Sequence, residues 1–215
     1  MAYSQHVKCI MEGLDTWNAW RNNTPGSLPD LSGTDLSGKD LRQAQLVQTD
    51  FSNANLQNSN LQGVDLEHCN FFGANLSNAN LAGANLCGAD LSHAQTLNIK
   101  LDGACLEGAT LNNVILRGQL LGGINFRNAN LFGSDLRDAD FTNADFTGAS
   151  LAEACLDVAS FYKANLSHAN LTGVSIKGTI FQEACLEGTN FQDVDLREAA
   201  LTFKEKMKLK FKGKL

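Results

Sequence analysis

The sequence predicts an all-β solenoid, in which short extended stretches stack coil upon coil. An apolar residue stands at every fifth position from 31 to 201, and of these 35 central positions 34 hold Leu, Phe or Ile, with Thr96 as the exception. Two residues before most central positions lies a small or β-branched residue, most often Ala. Asn and Gly residues that suit turns follow the central positions, and no insertion or deletion breaks the register.

A period of five matches neither the 3.6-residue period of a helix nor the alternation of a long strand. The two apolar positions within each unit are nevertheless two residues apart, as they are along a strand. A short extended stretch followed by a turn satisfies both observations. Because one such unit cannot bury a face alone, the units must stack on one another.

Tandem units such as GANLCGADL, at residues 83–91, resemble the pentapeptide-repeat family over residues 30–202. The resemblance implies a right-handed quadrilateral β-helix, in which four five-residue units form one square coil. It also implies that the central residue and the residue two before it point inward, and that the other three point outward. The implied domains are a capping helix and linker over 1–29, a β-helix of about 8–9 coils over 30–202, and a Lys-rich cap or tail over 203–215.

Phenylalanines at central positions support a coil of 20 residues. They form the predicted aromatic core at Phe51, Phe71, Phe126, Phe141, Phe146, Phe161, Phe181 and Phe191. Four pairs of them are separated by 20 residues, which would stack their rings at the ~4.8 Å spacing of paired strands.

Thr96 interrupts the apolar pattern without shifting it, since Leu101 follows on time. We expect Thr96 to point inward between Leu76 and Leu116, where its hydroxyl needs a backbone partner. The alternative is a local distortion that turns Leu97 inward.

The first residues predict an amphipathic helix over 4–21, with Ser4 as its candidate N-cap. The apolar side chains on one arc of this helix are Val7, Ile10, Met11, Leu14 and Trp17. The helix either binds a partner or covers the first coil. We favour the cover, because the end of a stacked solenoid exposes unpaired backbone groups.

The last residues, 203–215, contain six Lys and one Glu, whereas the rest of the chain has a net charge of −11. Their alternation suits a strand and their composition suits a helix, so both remain open. The segment either caps the last coil through Phe203, Met207, Leu209 and Phe211 or binds an anionic membrane or nucleic acid. We favour the cap.

Cysteine and histidine spacings predict no catalytic or metal site. Cys105, Cys155 and Cys185 each precede a central residue and should point outward, and Cys105 and Cys185 lie too far apart for a disulfide. The sequence contains no CxxC pair, and its repeat-region histidines fall at turns. We therefore predict no enzyme activity, cofactor or metal, and thiols that suit a reducing cytosol.

Two outward-facing features are candidate interaction surfaces. A basic stripe places Arg117, Arg137, Lys177 and Arg197 in one column with Asp157. It is either a docking stripe or a solvated surface of weak local ion pairs, and we favour the second. Outward apolar residues cluster over 97–132, a stretch that we predict to bind protein; they are Leu97, Ile115, Leu120 and Phe132.

These features together favour a non-enzymatic scaffold or protein-interaction module with an unknown protein partner. The alternative is a DNA mimic that binds DNA gyrase or another topoisomerase and confers quinolone resistance, as the resemblance implies for some relatives. Residues 31–202 carry 19 acidic and 9 basic side chains, which is sparse for such a mimic. We expect no direct nucleic-acid binding.

The remaining expectations concern the setting of the protein. The sequence contains no apolar run long enough for a membrane span and no secretory h-region near its start. We therefore expect a cytoplasmic protein. The family resemblance adds a possible homodimer through one end of the column, and the family is especially numerous in cyanobacteria.

Overall fold

The computed structural model describes residues 3–200, which fall into two compact units, Met1–Thr110 and Leu111–Leu215. The described residues contain helix α1 (Ser4–Glu12), helix α2 (Leu14–Asn23) and a 3-10 turn (Leu196–Glu198). Their extended structure consists of single-residue parallel β-bridges. None of the helices among residues 3–200 has the length and apolar character needed to cross a membrane.

Parallel β-bridges define the coil in each unit. Every bridge joins residues that are 20 apart, for example Asp35 with Asn55 in the first unit and Ile115 with Asp135 in the second. Regular backbone hydrogen bonds accompany the bridges, such as the 2.7 Å bond from the Leu36 amide to the Asn55 carbonyl. The predicted β-helix solenoid is therefore confirmed, and 20 residues separate equivalent positions in consecutive coils.

The turn between repeats explains two of the sequence preferences. The second residue after each central position from Leu31 to Phe191 has a positive φ, as at Gly33 (64°) and Asn53 (56°), and Gly and Asn tolerate this conformation best. The Asp or Asn just before the central residue accepts a hydrogen bond from the amide two residues ahead. Asp50 Oδ1, for instance, lies 2.8 Å from the Ser52 amide.

Central side chains form the core of each unit. Those from Leu31 to Leu196 are buried, apart from the half-buried Leu186. The predicted phenylalanine stacks are present, with ring centroids 5.1 Å apart for Phe51 and Phe71 and 5.0 Å apart for Phe141 and Phe161. Phe126 stacks on Phe146 in the same way, and Phe161 stacks on Phe181.

Thr96 points inward, as the uninterrupted register predicts, and only 3% of its surface is exposed. Leu97 is 68% exposed, so the alternative in which Leu97 replaces Thr96 in the core is wrong. The predicted position of Thr96 next to Leu116 stays a prediction.

The N-terminal prediction is wrong in three details. Residues 4–21 form two helices instead of one, because Gly13 adopts φ 128° and ψ 170°, a conformation outside the helical region. Ser4 is already helical, the N-cap is Tyr3, and no side chain caps α1. Met11, predicted on the apolar arc, is exposed.

Both helices lie against the first coil. Trp17 is fully buried, and its Nε1 donates a 3.0 Å hydrogen bond to the Gln45 carbonyl. Asn18 Oδ1 accepts from the Gln45 amide at 2.9 Å, and His6 Nδ1 accepts from the Asp30 amide at 3.0 Å. Helix side chains thus hydrogen-bond to backbone groups at the outer edge of the coil. The predicted cap residues Phe203, Met207, Leu209 and Phe211 lie outside the described residues.

Candidate interaction surface

The arginines of the basic stripe lie in the second unit, and each is bound to a carboxylate. Arg137 makes a two-pronged contact with Asp135, with Nη2–Oδ2 at 2.6 Å and Nε–Oδ1 at 2.7 Å. Arg117 donates from Nε to Asp138 Oδ2 at 2.9 Å. The surface is consequently a row of ion pairs and not a field of positive charge.

The C-terminal end of the stripe repeats this arrangement. Arg197 Nη2 lies 2.6 Å from Asp195 Oδ2, and this hydrogen-bonded guanidinium lowers the pKa of Asp195 to about 2. Between the arginines, Asp157 Oδ1 accepts from the Lys177 backbone amide at 2.8 Å and from Ser175 Oγ at 2.5 Å. These contacts favour the predicted solvated surface with local ion pairs, whose individual contributions to stability are small.

Arg137 also lowers the pKa of its neighbour Asp135. Its hydrogen bond to the Asp135 carboxylate holds the pKa of Asp135 below its usual range, and its positive charge acts in the same direction. Partial burial of Asp135 opposes this effect. The pair therefore keeps both charges at neutral pH.

Three predicted apolar residues are exposed in the second unit. Ile115 is 62% exposed, Leu120 75% and Phe132 46%. Ile115 forms a bridge with Asp135, so it lies beside the Arg137–Asp135 pair. Ile115 therefore borders the stripe, where one exposed apolar side chain lies next to a charged pair. Leu97, the fourth of the predicted apolar residues, is 68% exposed and lies in the first unit.

One class of contact was missed in the sequence. The residue after a central position touches the residue 18 further along, where the next coil passes. Examples are Arg127 with Asp145 (3.2 Å) and Thr147 with Asn165 (2.8 Å). The same spacing brings Cys87 Sγ within 2.8 Å of Cys105 Sγ. Predicting this pair requires the offset of two residues between adjacent coils, which the sequence period alone does not give.

The sequence pattern also did not mark His6 as a residue of interest. It is buried, and its ring lies 4.6 Å from Tyr3 and 4.4 Å from Trp20, centroid to centroid. Burial is the largest influence on its pKa, which lies below the ordinary value. The charge of Arg21 lowers the pKa further, whereas Asp30 opposes the shift.

The other histidines stand at turns, as predicted. His68, His93 and His168 have positive φ, and the ring of His93 meets the edge of Phe72 at 5.3 Å. Within residues 3–200, no group of three or more His, Cys, Asp or Glu side chains is arranged to hold a metal ion.

Comparison with known proteins identifies related repeats. A family model of pentapeptide repeats matches this chain in eight copies. The matched residues are 30–67, 69–107, 79–118, 124–157 and 159–202. No protein of curated function matches the chain.

Solved structures of pentapeptide repeat proteins are similar to this chain. HetL, involved in heterocyst differentiation regulation in the cyanobacterium Nostoc, is 30% identical with a TM-score of 0.35, and the match covers 77% of this chain and 86% of HetL. A protein from the Arabidopsis thaliana thylakoid lumen is 31% identical over 57% of this chain and 72% of its own, with a TM-score of 0.39. Trypsin-treated QnrB1, a plasmid-mediated fluoroquinolone resistance protein, is 23% identical over 72% of this chain and 76% of its own, with a TM-score of 0.45.

Proposed function

Because the chain belongs to the pentapeptide-repeat family, we propose that it is a non-enzymatic scaffold that binds a protein partner through the side of its repeat region. The proposal retains the predicted right-handed, quadrilateral path of eight to nine coils, and a cytoplasmic location.

The exposed apolar residues of the second unit carry this proposal. Ile115, Leu120 and Phe132 stand on backbone that is hydrogen-bonded to the next coil, for example from the Leu121 amide to the Asp140 carbonyl at 2.7 Å. Backbone that is already ordered loses little further conformational freedom when a partner binds. Removing exposed apolar side chains of this size from water makes the binding free energy more favourable.

The charged groups around Ile115 would provide specificity more than affinity. The bound carboxylate of Asp135 and the guanidinium of Arg137 present both signs of charge within one small area. A matching partner needs complementary charges at its rim, and a partner that places like charges opposite these groups would bind more weakly. We therefore infer a protein partner whose apolar contact is bordered by charges of both signs.

The contacts of the described residues also support a non-enzymatic role. The arginines and carboxylates of the stripe bind one another. General acid–base or nucleophilic catalysis requires a base in hydrogen-bond reach of the group that it activates.

A pull-down from the native host tests this proposal. The bait would be compared with the triple variant Ile115→Asp, Leu120→Asp and Phe132→Asp, and with the matched control Phe72→Asp. Phe72 is the same residue type at the same repeat position, with 45% exposure against 46% for Phe132, but it lies in the first unit.

We expect a specific partner that the triple variant loses at least tenfold and that the control retains. Direct binding of the purified partner, measured by calorimetry, would complete the test. If the triple variant and the wild type bind every enriched protein equally, these three residues are not part of the binding site. A folded triple variant, judged by an unchanged far-ultraviolet circular dichroism spectrum, is required for the comparison.

The alternative, a gyrase-binding DNA mimic, draws support from the net negative charge of residues 31–202. Along the stripe, however, arginines pair with the carboxylates and weaken the negative potential of this chain. A DNA mimic needs that potential to attract the basic DNA-binding surface of gyrase. The predicted dimer through a column end is compatible with both functions, and its test is the molar mass in solution.

A further inference from the structure

Two cysteines of the first unit lie side by side on consecutive coils. Cys87 Sγ and Cys105 Sγ are 2.8 Å apart, and both side chains are half-buried. We infer that Cys87 and Cys105 are a modification site, at which reaction with a small-molecule disulfide forms an intramolecular disulfide between coils. This inference is independent of the proposed partner surface.

Backbone hydrogen bonds on both sides hold this pair in position. Cys105 is bridged to Asn85, and its carbonyl accepts from the Leu86 amide at 2.8 Å. One residue beyond Cys87, the Gly88 amide donates to the Glu107 carbonyl at 2.9 Å. A disulfide bond is about 2.04 Å long, so the sulfurs need to approach by about 0.8 Å, which side-chain rotation can supply.

The fold determines which repeat positions meet, whereas the residue types at those positions determine whether a disulfide can form. The equivalent contact in the second unit joins Ser167 Oγ to Cys185 Sγ at 3.1 Å, which is a hydrogen bond that cannot become covalent. Cys155, at the same repeat position as Cys105, has Arg137 18 residues before it. Cys69 points inward and donates its thiol to the Leu46 carbonyl at 2.9 Å. Cys87 and Cys105 therefore combine proximity with partial exposure.

The reaction proceeds by two thiol–disulfide exchanges. One of the two thiols loses its proton to solvent, and its thiolate attacks a sulfur of the small disulfide, forming a mixed disulfide and releasing one small thiolate. The second protein thiolate then attacks the protein sulfur of the mixed disulfide and releases the second small thiolate. The two protein thiols are oxidised, and one small disulfide is reduced to two thiols.

The reaction should accelerate as the pH rises. Burial, together with the hydrogen bond to Cys105, raises the pKa of Cys87 to about 12. Since the thiolate is the reacting species, its fraction increases with pH throughout the range below this pKa. We expect the oxidation rate to increase between pH 7 and pH 9.

The experiment uses the full chain with an excess of glutathione disulfide at pH 8.5, followed by alkylation of the remaining thiols, denaturation and digestion with trypsin. Cleavage after Arg42, Lys100 and Arg117 places Cys87 in peptide 43–100 and Cys105 in peptide 101–117. We expect the two peptides joined by a disulfide in the monomer band of a non-reducing gel. Closing this loop of 19 residues should raise the melting temperature by roughly 5–10 °C, reversed by dithiothreitol.

Three variants serve as controls. Cys87→Ser recreates the Ser–Cys contact already present at Ser167 and Cys185, and it should abolish both the joined peptides and the temperature shift. Cys69→Ala, in the same tryptic peptide as Cys87, should leave the joined peptides in place. Ser167→Cys should create a second cross-link, to Cys185, because the spacing is equivalent.

The inference is overturned if the wild type yields only glutathione adducts, or if the joined peptides persist in Cys87→Ser. It is also overturned if they occur only in a disulfide-linked dimer. Joined peptides in the monomer that require Cys87 support it.

Discussion

A single turn position illustrates how strongly the fold constrains individual residues. The second residue after each central position from Leu31 to Phe191 has a positive φ, where β-branched residues are strained. Val158 nevertheless occupies such a position with φ 63°, and its side chain is 59% exposed. The backbone at Val158 is therefore strained, and burial of its side chain is too small to offset that strain fully.

We expect Val158→Asn to stabilise the second unit by about 1 kcal/mol, because Asn tolerates this backbone conformation. The measurement is the free energy of unfolding from urea denaturation. The reverse change, Asn143→Val at an equivalent turn with φ 61°, should destabilise by a similar amount. If both substitutions leave the stability unchanged, the positive φ carries no cost at these turns.

Inward and outward phenylalanines should differ greatly in their contributions. Phe161 is fully buried and stacks on Phe141 and Phe181 at 5.0 and 5.5 Å, whereas Phe72 is 45% exposed. We expect Phe161→Ala to cost about 3–5 kcal/mol of unfolding free energy, and Phe72→Ala to cost under about 1 kcal/mol. Equal costs in urea denaturation would contradict the assignment of inward and outward positions.

At the scale of the element, α1 and α2 supply hydrogen-bond partners to the first coil. His6, Trp17 and Asn18 bind backbone groups that the preceding coil would bind elsewhere in the solenoid. An exposed β edge left without partners promotes association with other chains. We therefore propose that the helices cap this edge, and that their attachment to it can be measured separately from the core.

Attachment of the helices should weaken in acid. The pKa of His6 is lower in the folded state than in the unfolded state, mainly through burial, so protonation favours release. The stabilisation is complete above the unfolded value of about 6.5 and declines as the pH falls below it. Protonated His6 also cannot accept the hydrogen bond from the Asp30 amide.

Tryptophan fluorescence reports this change directly, because both tryptophans of the chain, Trp17 and Trp20, lie in α2. We expect the emission to shift to longer wavelength, and the Asp30 amide to exchange faster, between pH 7.5 and pH 5. His6→Asn retains an acceptor without this titration and should remove the pH dependence. A pH profile that is identical in the variant would exclude His6 as its cause.

For the whole molecule, charge density distinguishes the two candidate functions. Residues 31–202 have a net charge of −10, or about −1.2 for each 20-residue coil, and one coil adds about 4.8 Å of length. Duplex DNA carries about three negative charges over that length. The ion pairs of Arg117, Arg137 and Arg197 place positive charge among the carboxylates. The electrostatic resemblance to DNA is accordingly weak.

We therefore expect no inhibition of gyrase supercoiling at low micromolar concentration and no rescue of gyrase from a quinolone. Any weak association should disappear as the ionic strength rises above physiological levels. Half-maximal inhibition at or below a few micromolar, lost on reversing the charges of Asp135 and Asp145, would favour the DNA mimic over the scaffold.

The exposure of residues on the candidate surface could be predicted from the repeat pattern, but the contacts between side chains could not. The exposure of Leu120 and Phe132 follows from their places in the repeat. The pairing of Arg137 with Asp135 depends on side-chain conformations, which a repeat pattern leaves undetermined. The contact between Cys87 and Cys105 depends on the offset between adjacent coils, and the backbone path determines that offset.

The sequence by itself determined the solenoid, its register and the inward position of Thr96, because each repeat places its apolar residues in the same way and stacking only multiplies that local pattern. Tertiary structure alone decided the hydrogen bonds from α1 and α2 to the first coil and the sulfur–sulfur contact. These features arise where residues distant in sequence meet, and their geometry is set by packing and hydrogen bonding rather than by periodicity.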